Sequence, residues 1–195
     1  MSSVCEQKRE LRRRVRTRMG AIPAEDRIDL ARRAIVQLLK RPEWIEAKSI
    51  LAYLPMADEL DSRSAIEEAL RHGKTVAVPS YCPADGIYRA AVISELERLR
   101  PGHFGVFEPE PDSPLIPLKR LDFVLVPGVA FAPNGYRLGR GKGFYDRLLA
   151  DVTGVKCGVA LDEQIVPILP VEPHDIAMDF ILTPSRWLRV APAGN

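Results

Sequence analysis

"SILAYLPMADELDSRSAIEEALRHGKTVAVPS", residues 49–80, is the stretch from which the fold can be read. It opens with a short apolar run stopped by Pro55, the pattern of a strand covered on both faces. "MADELDS" follows as a polar loop. Ile66, Ala69 and Leu70 then recur at helical spacing up to Gly73, a helix-ending residue. "TVAVPS" resumes an apolar run at once, so the stretch predicts a βαβ unit with parallel strands and a right-handed connection.

Downstream, "IYRAAVIS", "DFVLVPG", "VKCGVAL" and "DFILTP" predict further strands, and a helix pattern begins at about Gly143. Residues 101–117 hold Pro101, Pro109, Pro111, Pro114 and Pro117 with little periodicity, which predicts an ordered surface loop. Upstream, Leu11, Val15 and Met19 make a narrow stripe on a basic helix from Cys5 to Met19 that should dock lightly and be ended by Gly20. After Pro23, a second helix reaching Leu39 carries a wider stripe of Ile28, Ala31, Ile35 and Leu38 that should be buried. The pattern predicts one α/β domain over 1–195: a three-layer, Rossmann-like sandwich around a mostly parallel sheet, similar to that of sugar-phosphate isomerases and CoA transferases. Ligands of such sheets bind beyond the strand C-termini, so the 55–62 and 128–142 loops should rim one crevice.

Composition narrows the chemistry. The chain of 195 residues is 46% hydrophobic and 28% charged, enough apolar matter for one sizeable core. Cys5, Cys82 and Cys157 are odd in number and form no Cys-x-x-Cys pair, which argues against a disulfide framework or a zinc site. His72, His103 and His174 have no metal-ligand spacing, and no Gly-x-Ser-x-Gly elbow occurs. The longest nearly apolar run, "FVLVPGVAFAP", is far short of the roughly 20 residues of a membrane span. The N-terminus lacks the apolar core of a secretory signal, and Glu6 and Glu10 argue against a transit peptide, so a soluble cytoplasmic protein is expected.

The chemistry gathers in "GYRLGRGKGFYDRLL", residues 135–149. Gly135, Gly139, Gly141 and Gly143 let backbone N–H groups approach an anion, and the following helix adds its positive N-terminal end. Arg137, Arg140, Lys142 and Arg147 bring charge to the same place, which suits a polyphosphate. This is not a Walker A loop, since Gly143 replaces the Ser or Thr after Lys142; nor is it a dinucleotide fingerprint, since Phe144 stands at the third glycine. On spacing alone, a flexible basic loop capping a helix remains open.

The longer run "PGVAFAPNGYRLGRGKGFYDRLL" resembles the signature of the 5-formyltetrahydrofolate cyclo-ligase family. The resemblance extends over nearly the whole chain through "KRELR", "LPMADELDS", "FGVFEP" and "HDIAMDFILTP", in the family's order. It implies a small α/β sandwich that uses ATP and magnesium to close 5-formyltetrahydrofolate into 5,10-methenyltetrahydrofolate, releasing ADP and phosphate.

The resemblance also implies residue roles. Lys8 and Arg12 match a basic pair that holds ATP, and they stand one helical turn apart. Arg137, Leu138, Gly139, Arg140, Gly141, Lys142, Gly143, Phe144 and Tyr145 match the nucleotide loop, with 140–144 also lining the folate side. Leu54 and Glu59 match folate contacts; Asp146 and Asp175 match magnesium ligands, hard oxygen donors that suit the ion. Without the resemblance, Lys8 and Arg12 read as a solvated charge face, Asp146 as a helix N-terminal charge, Asp175 as a turn residue, Glu59 as an exposed loop acid and Leu54 as core. Phe144 stands where the family often has a first tyrosine, and Ser62 where threonine is usual.

The implied reaction phosphorylates the formyl oxygen, after which the folate N10 attacks and phosphate leaves. Alignment and charge neutralisation are then the protein's work, with Arg140, Lys142, Tyr145 and Arg147 as the candidate catalytic groups. A monomer acting on a small molecule is expected, with neither membrane nor nucleic-acid partner. Three alternatives stay open. The arginine-rich first helix and a pI near 8.5 suit a nucleic-acid-binding module, although aromatic residues are not interleaved with its charges. The phosphate loop alone suits a sugar-phosphate isomerase or acyl-CoA transferase, and also an ATP-dependent kinase or ligase for a related formyl substrate.

Overall fold

The structure is a computed structural model that describes residues 3–191. Helices α1 (Val4–Gly20), α2 (Ala24–Leu38) and α3 (Pro42–Glu46) precede strand β1 (Ser49–Leu51). Helix α4 (Arg63–Arg71) leads to β2 (Thr75–Cys82) and its hairpin partner β3 (Ile87–Ile93). Short strands β4 (Arg100–Pro101), β5 (Phe107–Glu108) and β6 (Leu115–Ile116) come next, then β7 (Phe123–Pro127). A small hairpin of β8 (Ala130–Phe131) and β9 (Arg137–Leu138) precedes α5 (Phe144–Leu149), β10 (Val155–Val159), β11 (Phe180–Leu182) and β12 (Trp187–Arg189).

The main sheet runs β12-β11-β10-β7-β1-β2-β3-β6. Its five middle strands are parallel, from Ser49 opposite Thr75 at one side to Cys157 opposite Phe180 at the other. Antiparallel β3 and β6 extend one side and β12 closes the other. This is the predicted mostly parallel sheet, with the predicted βαβ unit at its centre. Successive β7 residues feed opposite layers: Phe123 and Leu125 join the core that α1 to α4 cover, while Val124 and Val126 join the core that α5 seals with Leu148 and Leu149. All four are fully buried, as a strand covered on both faces requires.

Several expectations need correction. Ile28 lies 74% exposed, whereas Ala31, Ile35 and Leu38 are buried; the α2 stripe is therefore narrower than its sequence pattern. The 49–55 run forms a ladder only over Ser49–Leu51 and continues as buried chain, because its end becomes the first wall of the crevice. The 101–117 segment is not plain loop: it holds the β4–β5 pair and β6, which adds to the sheet edge through Ala90 opposite Ile116. Two-residue strands carry no periodicity to read, and the flanking Pro114 and Pro117 are tolerated at an edge. The 128–142 loop likewise contains the β8–β9 hairpin, whose turn needs Gly135 at φ 89°. Helix α3 and strand β12 were not foreseen.

Candidate active site

The connection after β1 runs towards β2, whereas β7 lies on the other side of β1 and leads to β10. Strand order therefore reverses between β1 and β7, and such switch points open a crevice at the strand C-termini. A cavity of about 460 Å3 stands there, a size suited to a small-molecule ligand. One wall is apolar, with Leu54, Met56, Pro79, Tyr88, Val106 and Phe144. Phe144 meets Tyr88 edge to face at 5.1 Å between ring centres, and burial pushes the Tyr88 phenol up to about 12, with Glu108 adding to the rise.

Other lining residues are charged. Lys8 and Arg12 share a face with Val15 and Met19, and burial of the two apolar residues seats the helix so that both cations reach the cavity. Helix α1 buries Lys8, Val15 and Met19 alone, and Lys8, 8% exposed, is not part of the solvated charge face that its spacing alone suggests. Its ammonium donates to Asp175 Oδ2 at 2.7 Å and Glu172 Oε2 at 2.8 Å. Burial alone lowers the Lys8 pKa, but these two bonds outweigh it and hold the ammonium above the ordinary lysine value. For Asp175, burial raises the pKa, and the bonds from Lys8 and from the Glu172 N–H reverse it to a net fall.

Arg12 Nε donates to the Gly139 carbonyl at 2.9 Å, tying α1 to the glycine-rich loop. Gly141, at φ 103°, lets that loop pass Arg12: a Cβ there would lie 3.4 Å from Arg12 Nη2. Gly143, at φ 62°, caps the start of α5 in the left-handed region that favours glycine. Arg137 is almost wholly buried, donates to Asp146 Oδ1 at 2.8 Å and lies over the Tyr145 ring. Its Nε finds no hydrogen-bond partner among the described residues. A buried orphan donor beside a cavity is costly unless an acceptor arrives, and a ligand oxyanion is one that would satisfy it.

Glu59 closes the rim. It accepts from the Met56 N–H at 3.0 Å and from Arg140 at 3.1 Å, and Arg140 also pairs with Asp58. Burial, the largest influence, lifts the Glu59 pKa above that of an ordinary glutamate, while the Met56 and Arg140 bonds offset part of the rise. Burial also raises the Tyr145 phenol strongly, with Glu59 contributing, so Tyr145 stays a neutral hydroxyl.

The structure thus brings Lys8, Arg12, Leu54, Glu59, Arg137 to Asp146 and Asp175 around one cavity. Arg147 is the exception: it is exposed, stacks over Phe144 at 5.1 Å and donates to the Lys142 carbonyl. Glu172 and Tyr88 line the cavity without having been singled out in the sequence. The stripe that signals the first helix is Leu11, Val15 and Met19, and Lys8 and Arg12 lie at helical spacing before Val15 and Met19 on the buried face. Nothing local marks Tyr88 or Glu172.

These residues suit a polyphosphate and a hard cation. Arg12, Arg137, Arg140 and Lys142 stand about a loop of backbone N–H groups, with one buried donor unsatisfied. Among the described residues no cluster of three or more His, Cys, Asp and Glu forms a closed metal cage. Asp146 and Asp175 do line the same cavity, and a pair of carboxylates with waters and phosphate oxygens is an ordinary magnesium environment. None of the described helices is long and apolar enough to cross a membrane.

The chain is similar to known proteins over most of its length. A family model described as the 5-formyltetrahydrofolate cyclo-ligase family matches residues 4–184. The Escherichia coli K12 5-formyltetrahydrofolate cyclo-ligase is 33% identical over 177 residues, covering 88% of this chain and 97% of its own. The Mycolicibacterium smegmatis protein of that name is 36% identical over 155 residues, 74% of this chain and 77% of its own. The NMR structure of Aquifex aeolicus 5,10-methenyltetrahydrofolate synthetase superposes with a TM-score of 0.86 at 33% identity, over 96% of this chain and 95% of that one.

Proposed function

Because the chain belongs to the 5-formyltetrahydrofolate cyclo-ligase family, we propose that it cyclises 5-formyltetrahydrofolate to 5,10-methenyltetrahydrofolate at the expense of ATP, with magnesium. The observation that carries the ATP part is the orphaned Nε of buried Arg137, in a cavity whose other cations already have protein partners that a polyphosphate can replace.

A formamide oxygen is a poor leaving group, so cyclisation requires its activation. In the proposed course the γ-phosphoryl group passes to the formyl oxygen, N10 of the folate attacks the formyl carbon and loses its proton to water, and the former formyl oxygen leaves as part of phosphate. Lys8, Arg12, Arg137 and Lys142 bind the polyphosphate. Arg140, which lines the cavity and pairs with Glu59, stabilises charge on the group in transit. Glu59 and the apolar wall of Leu54, Tyr88 and Phe144 hold the folate, the carboxylate accepting N–H bonds from its pterin. Tyr145, which lines the same cavity with a neutral phenol, serves as a hydrogen-bond donor. Asp146 and Asp175 would hold magnesium, which when bound neutralises phosphate charge. No protein nucleophile is required.

The reading is of a monomer in the cytoplasm, without a nucleic-acid partner. Mixing the protein with 5-formyltetrahydrofolate and magnesium, with and without ATP, tests it: methenyl absorbance should rise only with ATP, with ADP formed in step. Binding of ATP without that rise would keep the nucleotide site and reject the acceptor.

A further inference from the structure

We infer that Glu172 is a positioning residue for Lys8: it keeps an anionic partner on the buried ammonium when Asp175 turns to a divalent cation. The inference rests on the proposed use of Asp175 as a metal ligand and assigns a role to a residue that neither the sequence nor the comparisons singled out.

The two carboxylates are locked together by a turn. The Asp175 N–H donates to the Glu172 carbonyl at 3.0 Å, and the Glu172 N–H donates to Asp175 Oδ2 at 2.8 Å. Pro173 between them fixes its own backbone angle, which favours this turn. Both side chains consequently converge on Lys8 Nζ, at 2.8 and 2.7 Å.

Consider the same site with Asp175 alone. A divalent cation taking that carboxylate would leave a nearly buried ammonium of like charge beside it, with the polyphosphate as its one remaining anionic partner. Breaking a buried ion pair by removing one partner is strongly unfavourable, so Lys8 would oppose the metal. With Glu172 present, the cluster holds one ammonium and two carboxylates and carries net negative charge. Lys8 keeps the Glu172 bond while Asp175 changes partner. The Glu172 side chain is 43% exposed, against 11% for Asp175, so it has room to follow the ammonium.

Calorimetric titration of ATP into the purified protein, in EDTA and then in excess magnesium, separates the possibilities without reference to turnover. Wild type should bind ATP in both and more tightly with magnesium. In Glu172→Gln the magnesium-dependent gain should shrink by about tenfold, the effect of losing one hydrogen bond to a charged group. Affinity in EDTA should stay within about twofold, and Glu172→Asp should recover much of the gain. An undiminished gain in a folded Glu172→Gln, or equal losses with and without magnesium, overturns the role given to Glu172 alone. A wild type that gains nothing from magnesium overturns the proposed metal function and this inference with it. Should Glu172→Gln fail to fold, Glu172→Asp decides: its shorter side chain meets Lys8 less closely and should leave a measurable part of the gain missing, and a wild-type gain contradicts the inference.

Discussion

The loops that leave β1 and β7 stand side by side at the switch point and are held in opposite ways. The first is tied by bonds of its own: Tyr53 Oη donates to the Leu60 carbonyl at 2.6 Å, Ser62 Oγ to the Tyr53 carbonyl at 2.6 Å, and the Met56 N–H to Glu59. The glycine-rich part of the second takes its ties from outside, from Arg12 on α1 and from Glu59 and Asp58 across the crevice. A loop held from within is a preformed template, suited to a rigid fused-ring substrate. A loop held by exchangeable ion pairs can regroup around a phosphate chain. The first should therefore report damage as lost stability or folate affinity, the second as lost turnover or ATP affinity.

The largest test of that division is Asp146→Asn, which should cut turnover by about a hundredfold or more in the folded variant, although losing the charge paired with buried Arg137 also lowers its melting temperature by several degrees. Unchanged activity across magnesium concentrations would remove Asp146 from the second loop's function. Next, Lys8→Ala should raise the KM for ATP by about tenfold and leave that for the folate alone. Lys8→Ala should also alter the acid limb of stability. The Asp175 pKa is depressed in the folded chain, so its contribution is present above the ordinary aspartate value of about 3.9 and is lost as pH falls through the folded value. Without Lys8, the drop in stability between neutral pH and about pH 3 should be smaller, as urea melts at the two pH values would show.

Glu59→Gln, across the crevice, should raise the folate KM by about tenfold, the worth of one charge-assisted hydrogen bond, with ATP little affected. Because burial raises the Glu59 pKa, wild-type folate KM should also worsen in acid sooner than an ordinary glutamate would dictate, and the variant should lack that dependence. An equal rise in the ATP KM would erase the distinction between the two loops. Smallest of all, Tyr53→Phe should cost about 1–3 kcal/mol by leaving the Leu60 carbonyl unpaired in the interior, with kinetics unchanged in the folded variant.

The division also explains what was legible. Elements stabilised by their own apolar pattern, such as β7 and the βαβ unit, could be read because strand and helix periods are local properties. The glycines and cations of 135–149 marked an anion loop for the same reason. Lys8 was harder, since its burial depends on a turn 164 residues away, where Glu172 waits with Asp175. Ile28 misled because a helix stripe shows which face is apolar, not how much of it a neighbour covers. Two-residue strands such as β6 and β9 are defined by their partners and have no signature of their own.

The central claim is that the crevice aligns a polyphosphate with a formyl oxygen so that this oxygen departs as phosphate. Substrate carrying a heavy-oxygen label in its formyl group tests it directly. The account predicts that each turnover yields one methenyl product, one ADP and one phosphate bearing the label. Label released to water or formate, with unlabelled phosphate, would contradict it.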